Sequence, residues 1–165
     1  MDIRSIADKH FGMYLRYERS IKNYYAMQSK PRVFKTQVQV YWGRTGLGKT
    51  RKAFHQSKHN VWFYGSDGWF DGYCGQENVI FDDFGGHEFK LTYLLKLLDR
   101  YPMDVRIKGG FTCWCPRTIY ITSNKNPSDW YSCLQVHKEA LFRRFSEVIE
   151  FTEEWTPPLE EVLIE

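Results

Sequence analysis

No stretch of the 165 residues approaches the ~18 consecutive apolar residues that a membrane-spanning helix needs, so no membrane partner is expected. A secretory opening is missing too: Asp2 and Arg4 are followed by mixed polar sequence instead of an apolar core. Cysteine is scarce. Cys74, Cys113, Cys115 and Cys133 lack zinc-site spacing and are too few for a disulfide scaffold of this length. Reduced, mostly buried thiols are expected, which suits an intracellular compartment. His55 and His59 stand four residues apart, but no H-E-x-x-H accompanies them, so they read as surface histidines. Acidic residues are rare at the front. Residues 1–60 hold 13 Lys/Arg against 3 Asp/Glu, so a net +3 conceals +10 there and −7 in the remainder. A basic front half suggests a polyanionic partner, with nucleic acid first among them.

Aromatic and apolar residues are plentiful. The chain is 42% hydrophobic and 18% aromatic, enough for a substantial core in one domain with a small appendage. Its most informative stretch is Gly43-Arg44-Thr45-Gly46-Leu47-Gly48-Lys49-Thr50, which fits G-x-x-x-x-G-K-[ST] at every required position. The glycines let backbone N–H groups converge on phosphate oxygens. Lys49 brings an ammonium to the outer phosphates, and the Thr50 hydroxyl is a hard oxygen ligand for Mg²⁺. Val38, Val40 and Trp42 alternate with polar residues just before it, and Lys49 to Ser57 holds no Gly or Pro. Strand, glycine loop and helix is the setting the motif requires, with the helix dipole aimed at the anion.

Val79-Ile80-Phe81-Asp82-Asp83 reads as a buried parallel strand that delivers two carboxylates at its carboxyl end. Asp82 is expected in the Mg²⁺ shell, and Asp83 to orient, or take a proton from, an attacking water. Asp83-Phe84-Gly85 spells the kinase D-F-G triplet, but no H-R-D loop precedes it and the phosphate loop is of another kind. Trp69-Phe70-Asp71-Gly72-Tyr73 carries aromatics suited either to base stacking or to a core; the area they would bury favours the core. Phe89 to Arg100 reads as a helix. Asp104–Lys108, Gly109-Gly110 and Phe111–Trp114 follow as a hairpin turning on its two glycines, with Lys108 at the tip. A lysine there suits a phosphate backbone. Thr118 to Asn124 reads as another buried strand, and Asn124 is placed to hydrogen-bond a terminal phosphate or the attacking water. Lys138 to Arg144 reads as helical and ends in Arg143-Arg144; Phe145 to Phe151 is a last strand.

At the amino end, residues 5–28 read as one or two helices divided at Gly12, with Tyr14, Tyr17, Ile21 and Tyr24 as an apolar stripe. That stripe suits packing on the next domain or on a neighbouring subunit. Pro31 marks the boundary. Residues 152–165, with five Glu and Pro157-Pro158, read as a loosely held tail.

Phosphate loop, W-F-D-G-Y, D-D-F, K-G-G, I-T-S-N and A-L-F-R-R in this order resemble the replication-initiator (Rep) proteins of circular single-stranded DNA viruses, circovirus-like Reps above all. The resemblance covers about residues 30–151 and points to their superfamily 3 helicase domain. It implies an α/β, AAA+-like P-loop NTPase with a mainly parallel central sheet flanked by helices, working as a hexameric ring on single-stranded DNA, 3′ to 5′, in the host nucleus. Carried over by position, Gly43 to Thr50 would hold ATP, with Lys49 acting on its phosphates. Asp82 and Asp83 would be the paired acids, and Asn124 the sensor. Lys108, Gly109 and Gly110 would be the DNA-contacting hairpin tip. Arg143 or Arg144 would be the arginine finger reaching a neighbouring subunit's ATP. The expected organisation is a helical oligomerisation segment over 1–31, the ATPase domain over 32–151 and an acidic tail over 152–165. Such Reps also carry a nicking endonuclease with an H-x-H motif; none occurs here, so Met1 is expected to open a fragment, and nicking is not expected of it. The alternatives are a P-loop kinase, or a nucleotide-switched DNA-binding scaffold without motor activity.

Overall fold

The computed structural model describes residues 3–28, 31–58, 60–65, 67–131 and 135–158. His59, Cys133 and residues 159–165 lie outside them. Two helices open the chain, α1 (Ile3–Lys9) and α2 (Phe11–Gln28). The strand before the phosphate loop is β1 (Gln37–Gly43), and the helix after it is α3 (Lys49–Gln56). Then come β2 (Val61–Phe63), β3 (Asn78–Phe81), α4 (Leu91–Leu97), a hairpin of β4 (Asp104–Ile107) and β5 (Gly110–Cys113), β6 (Thr118–Ser123), α5 (Gln135–Phe142) and β7 (Glu147–Phe151).

Five strands form one sheet in the order β2-β3-β6-β1-β7, every neighbouring pair parallel. The central strand β6 is buried from Ile119 through Ser123, as expected of a strand covered on both faces. One face packs a large aromatic core in which Phe70 and Trp114 are fully buried. The other packs Tyr41, Ala53, Ile80, Tyr120 and Phe151 beneath α3. Because β3, β6 and β1 are adjacent, the residues leaving their carboxyl ends converge: the acids from β3, Asn124 from β6 and the phosphate loop from β1.

The hairpin is a separate two-stranded sheet rooted in the aromatic core. Trp114 lies parallel to Phe81 at an interplanar angle of 3°, and its Nε1 donates to the Leu97 carbonyl at 2.9 Å. Ile107 pairs with Gly110, so the turn is Lys108-Gly109 and not the two glycines. Gly109 takes φ +98°, which frees Gly110 to begin β5.

Three other expectations are corrected. Gly12 sits inside α2; the helices part at His10, and α2 kinks at Tyr17. A helical glycine costs only ~1 kcal/mol, too little to break so long a helix. Helix α4 is shorter than Phe89–Arg100, because Phe89 turns into the core ahead of it and Arg32 receives its end. That arginine is completely buried and donates to the carbonyls of Lys96, Leu97 and Tyr101, satisfying groups a helix end leaves open. Finally, among the described residues the thiols are not deeply buried. Cys74 is exposed, while Cys113 and Cys115 flank Trp114, whose inward ring leaves its neighbours half-buried.

Along α2 the expected stripe is largely uncovered: Tyr17 is 51% exposed and Tyr24 60%, with Tyr14 and Ile21 half-buried. Arg19 donates to the Gly109 carbonyl at 3.3 Å, which joins this helix to the hairpin tip.

Candidate functional site

Gly43 and Gly48 bound the phosphate loop, and both are forced by neighbours. A Cβ on Gly43 would lie 2.4 Å from the Phe151 carbonyl oxygen, and one on Gly48, at φ +77°, 3.0 Å from that of Trp155. Directly after Gly48, Lys49 is buried. Its Nζ donates to the carbonyls of Gly43 at 2.9 Å and Arg44 at 2.8 Å, and to Asn124 Oδ1 at 2.9 Å. Asn124 Nδ2 in turn donates to Asp83 Oδ1 at 3.1 Å. Lysine, asparagine and carboxylate thus form one chain across the ends of three adjacent strands. Burial lowers the Lys49 pKa, and the negative charges of Asp83 and Asp82 oppose that shift.

The second acid is held differently. Thr50 Oγ1 and Thr122 Oγ1 each donate to Asp82 Oδ1 at 2.6 Å. Thr122 Oγ1 also accepts the Asp83 N–H at 3.0 Å. Asp83 has φ +50°, a left-handed conformation that a non-glycine residue adopts under constraint. Thr122 therefore sets both acids, one by its proton and one by its lone pair. It was missed in the sequence, although a hydroxyl on a buried strand just before Asn124 was the signal.

Lys49, Thr50, Asp83 and Asn124 line a cleft of about 350 Å³ with Thr45, Gly46, Gly48, Arg51 and Glu154. A second hollow of about 500 Å³ lies on the other flank of the loop, between Arg44, Leu47, Glu150 and Phe151. Among the described residues no cluster of three or more His, Cys, Asp or Glu could hold a metal unaided. The hard-oxygen pair Thr50 and Asp82 fits Mg²⁺ shared with a phosphate.

Glu154 comes from the stretch expected to be a loose tail. Residues 152–158 instead cross the phosphate loop. Trp155 N–H donates to the Leu47 carbonyl at 3.1 Å, Arg51 donates to the Trp155 carbonyl, and Arg51 pairs with Glu154 at 3.2 Å. The Arg51 guanidinium also lies 5.7 Å from the Trp155 ring centre, and the His55 ring packs against that indole. Glutamates and prolines hid this in the sequence; Trp155, a large ring among them, was the overlooked signal.

The two arginines part company. Arg144 donates to Asp99 Oδ2 at 2.6 Å and to the Ala140 carbonyl at 2.8 Å. Burial pushes the Asp99 carboxyl up, but the Arg100 N–H and the Arg144 guanidinium outweigh it and hold the acid below its ordinary range. Arg143 is exposed at the end of α5. On the hairpin, Lys108 is 72% exposed, with Gly109 and Gly110 open to solvent beside it. Of the W-F-D-G-Y aromatics, Phe70 and Tyr73 are core residues, while Trp69 stands under Arg106 at the surface.

A family model described as RNA helicase matches residues 39–125, from β1 to just past Asn124. The chain belongs to this helicase family. Within it the chain groups with the circovirus-type replication-associated (Rep) proteins. It is 35% identical to the replication-associated protein of goose circovirus over 99% of this chain and 56% of that protein. Identity is 39% to that of beak and feather disease virus and 37% to that of porcine circovirus 2, each over 88% of this chain and 50% and 48% of those proteins. The helicase chain spans about half the length of the curated relatives it matches. Among solved structures, the S. cerevisiae Hsp104–ADP complex is matched at 18% identity and a TM-score of 0.46, over 82% of this chain and 25% of that one. The helicase-family fold is α/β: a parallel sheet flanked by helices, with short helices in front. The matched span holds the phosphate loop, both acids, the hairpin and Asn124; the two arginines and the strap over the loop lie beyond it.

Proposed function

We propose that this chain is the ATP-hydrolysing motor domain of a viral replication-associated protein, working as a hexameric ring that translocates 3′ to 5′ on single-stranded DNA in the host nucleus. The observation that carries the reading is the hydrogen-bonded chain Lys49–Asn124–Asp83, which lines one cleft together with Thr50, whose hydroxyl donates to Asp82. The ring, the direction and the nucleus rest on the family resemblance. Replication comes from the relatives' names, and DNA from the family resemblance.

Gly43, Arg44, Thr45, Gly46, Leu47 and Gly48 cradle the phosphates with backbone N–H groups. Lys49 exchanges the Gly43 and Arg44 carbonyls for phosphate oxygens, and its charge stabilises the transferred phosphoryl group. Thr50 and Asp82 would hold Mg²⁺, which neutralises phosphate charge when bound. Asp83 and Asn124 lie together on the cleft side and orient the attacking water. Arg143 is the finger for the neighbour's ATP, since Arg144 is committed to Asp99 within its own chain. Residues 1–31 present the uncovered α2 face to the next subunit, and residues 32–151 are the motor. Lys108 at the hairpin tip meets the strand's phosphates, with Gly109 and Gly110 allowing close approach.

The test is ATP turnover with and without single-stranded DNA, together with the mass of the assembled particle. Stimulation by DNA in a ring-sized particle is expected. Turnover by a monomer indifferent to DNA would point to a kinase-like enzyme, and nucleotide-dependent DNA binding without turnover to a scaffold. Mixing Arg143→Ala with Asp83→Asn subunits is expected to restore activity above either parent; no gain would remove the finger in trans.

A further inference from the structure

The tip of the hairpin is held by a residue that does not belong to it. Asp71, in the turn between β2 and β3, accepts the Lys108 N–H on Oδ1 at 2.6 Å. Its Oδ2 faces Lys108 Nζ at 3.4 Å, is shielded from solvent and has no hydrogen-bond partner. One residue earlier, the Phe70 N–H donates to the Arg106 carbonyl at 2.9 Å, stitching the same turn to β4. The Asp71 carbonyl accepts from Trp62 Nε1 at 3.1 Å. Trp62 lies on β2 and pairs with Val79 of β3, the strand that ends at Asp82 and Asp83. Two backbone bonds and one ion pair thus lead from the tip lysine to the strand that carries the acids.

We propose that Asp71 is a positioning residue for the strand-contacting hairpin. Its carboxylate holds Lys108 when no strand is bound, and yields the ammonium to a phosphodiester when one arrives. This rests on the reading that Lys108 contacts the strand. The Asp71 backbone is held by Trp62 through its carbonyl, while the lysine is mostly in solvent, so the lysine is the partner that can leave. A phosphate near Lys108 must compete with the charge already beside it. Once Lys108 turns to the strand, the shielded Oδ2 loses its counter-charge, and only backbone groups of the hairpin, the Lys108 N–H on Oδ1 and the Arg106 carbonyl on the Phe70 N–H, still tie it to the turn. The strand-bound hairpin is therefore the more loosely tethered one, and freer to move with the bound DNA. Nothing in the W-F-D-G-Y sequence points to this, because the aspartate sits 37 residues from the lysine it holds.

The experiment measures binding of a fluorescent single-stranded oligothymidylate to the full chain by anisotropy, at low and high salt. Wild type, Asp71→Asn, Lys108→Ala and the double variant are compared. Asparagine keeps an oxygen for the Lys108 N–H and removes the competing charge. Asp71→Asn is expected to bind about two- to fivefold tighter at low salt, the range an exposed ion pair supplies, with the gain shrinking at high salt. Lys108→Ala is expected to bind more weakly, and the double variant no tighter than Lys108→Ala alone. Unchanged or weaker binding by Asp71→Asn, with Lys108→Ala weakened, would overturn the proposal and leave the hairpin reading intact. A double variant that still gains affinity would overturn it as well. Unweakened binding by Lys108→Ala would remove the hairpin reading and this proposal together. Should Asp71→Asn fail to fold, Asp71→Ser carries the same expectations.

Discussion

At the ends of β1, β3 and β6, Lys49 has three hydrogen-bond partners and Asp82 two, and the strands beneath them are buried on both faces. At the tip of the hairpin, Lys108 has a single carboxylate, and Phe111 beside it is 64% exposed. The two regions share one core, since Trp114 roots the hairpin among the rings that support β3. They differ in how far order extends from that core. Phosphoryl transfer needs groups fixed before the reaction begins, because preorganised charge does most of the work. A segment that follows a moving strand needs few contacts and low local stability. On the motor reading proposed above, the chain would meet both demands by placing one set of residues where three strands end and the other a full hairpin away.

The contrast breaks first at Lys49. Lys49→Ala is expected to reduce ATP turnover on the order of 10²–10³-fold, the loss typical of one transition-state donor. Phosphate release measures it, and wild-type turnover in that variant would move the chemistry away from this cleft. A middle-sized effect separates the two arginines. Arg144→Ala is expected to lower unfolding stability by about 1–3 kcal/mol, as when a largely buried charged hydrogen bond is removed, whereas Arg143→Ala is expected to leave the melting curve in place. The sign with pH follows from Asp99. Its folded pKa is depressed, so its contribution is present above the unfolded carboxylate value of about 4 and is lost as pH falls through the lower folded value. Thermal melts across that acid range are expected to show a shallower acid loss in Arg144→Ala. The smallest effect is at the strap. Trp155→Ala removes the cation–π and ring contacts that hold Arg51, worth about 0.5–1 kcal/mol, so nucleotide affinity is expected to fall about two- to fivefold. Titration with a fluorescent ATP analogue reads this, and an unchanged affinity would detach the strap from the cleft.

Much of the cleft was legible because its parts are local in the chain. The phosphate loop is eight consecutive residues, and the two acids follow three apolar ones. Parallel pairing of β1, β3 and β6 then brings them together without further information. Features set by distant partners were not legible. Gly109-Gly110 looked like the turn, but pairing to Ile107 draws Gly110 into the strand, and Asp71 fixes Lys108, two residues before it. Arg143 and Arg144 are indistinguishable as letters; only the approach of Asp99 from the end of α4 separates them. Arg32 gave no sign of becoming a buried cap, since its partners are carbonyls of residues 64 to 69 positions later.

The strap has a consequence in time. Arg51 and the Trp155 carbonyl it meets are 104 residues apart. At a synthesis rate of about 5–20 residues per second, the complete phosphate-loop motif leaves the ribosome roughly 5 to 20 s before the residues that close over it. During that interval the nascent chain displays every letter of the motif, yet β7 and Trp155 are not there to press on Gly43 and Gly48. Nucleotide meets the strapped pocket only once Trp155 has been made.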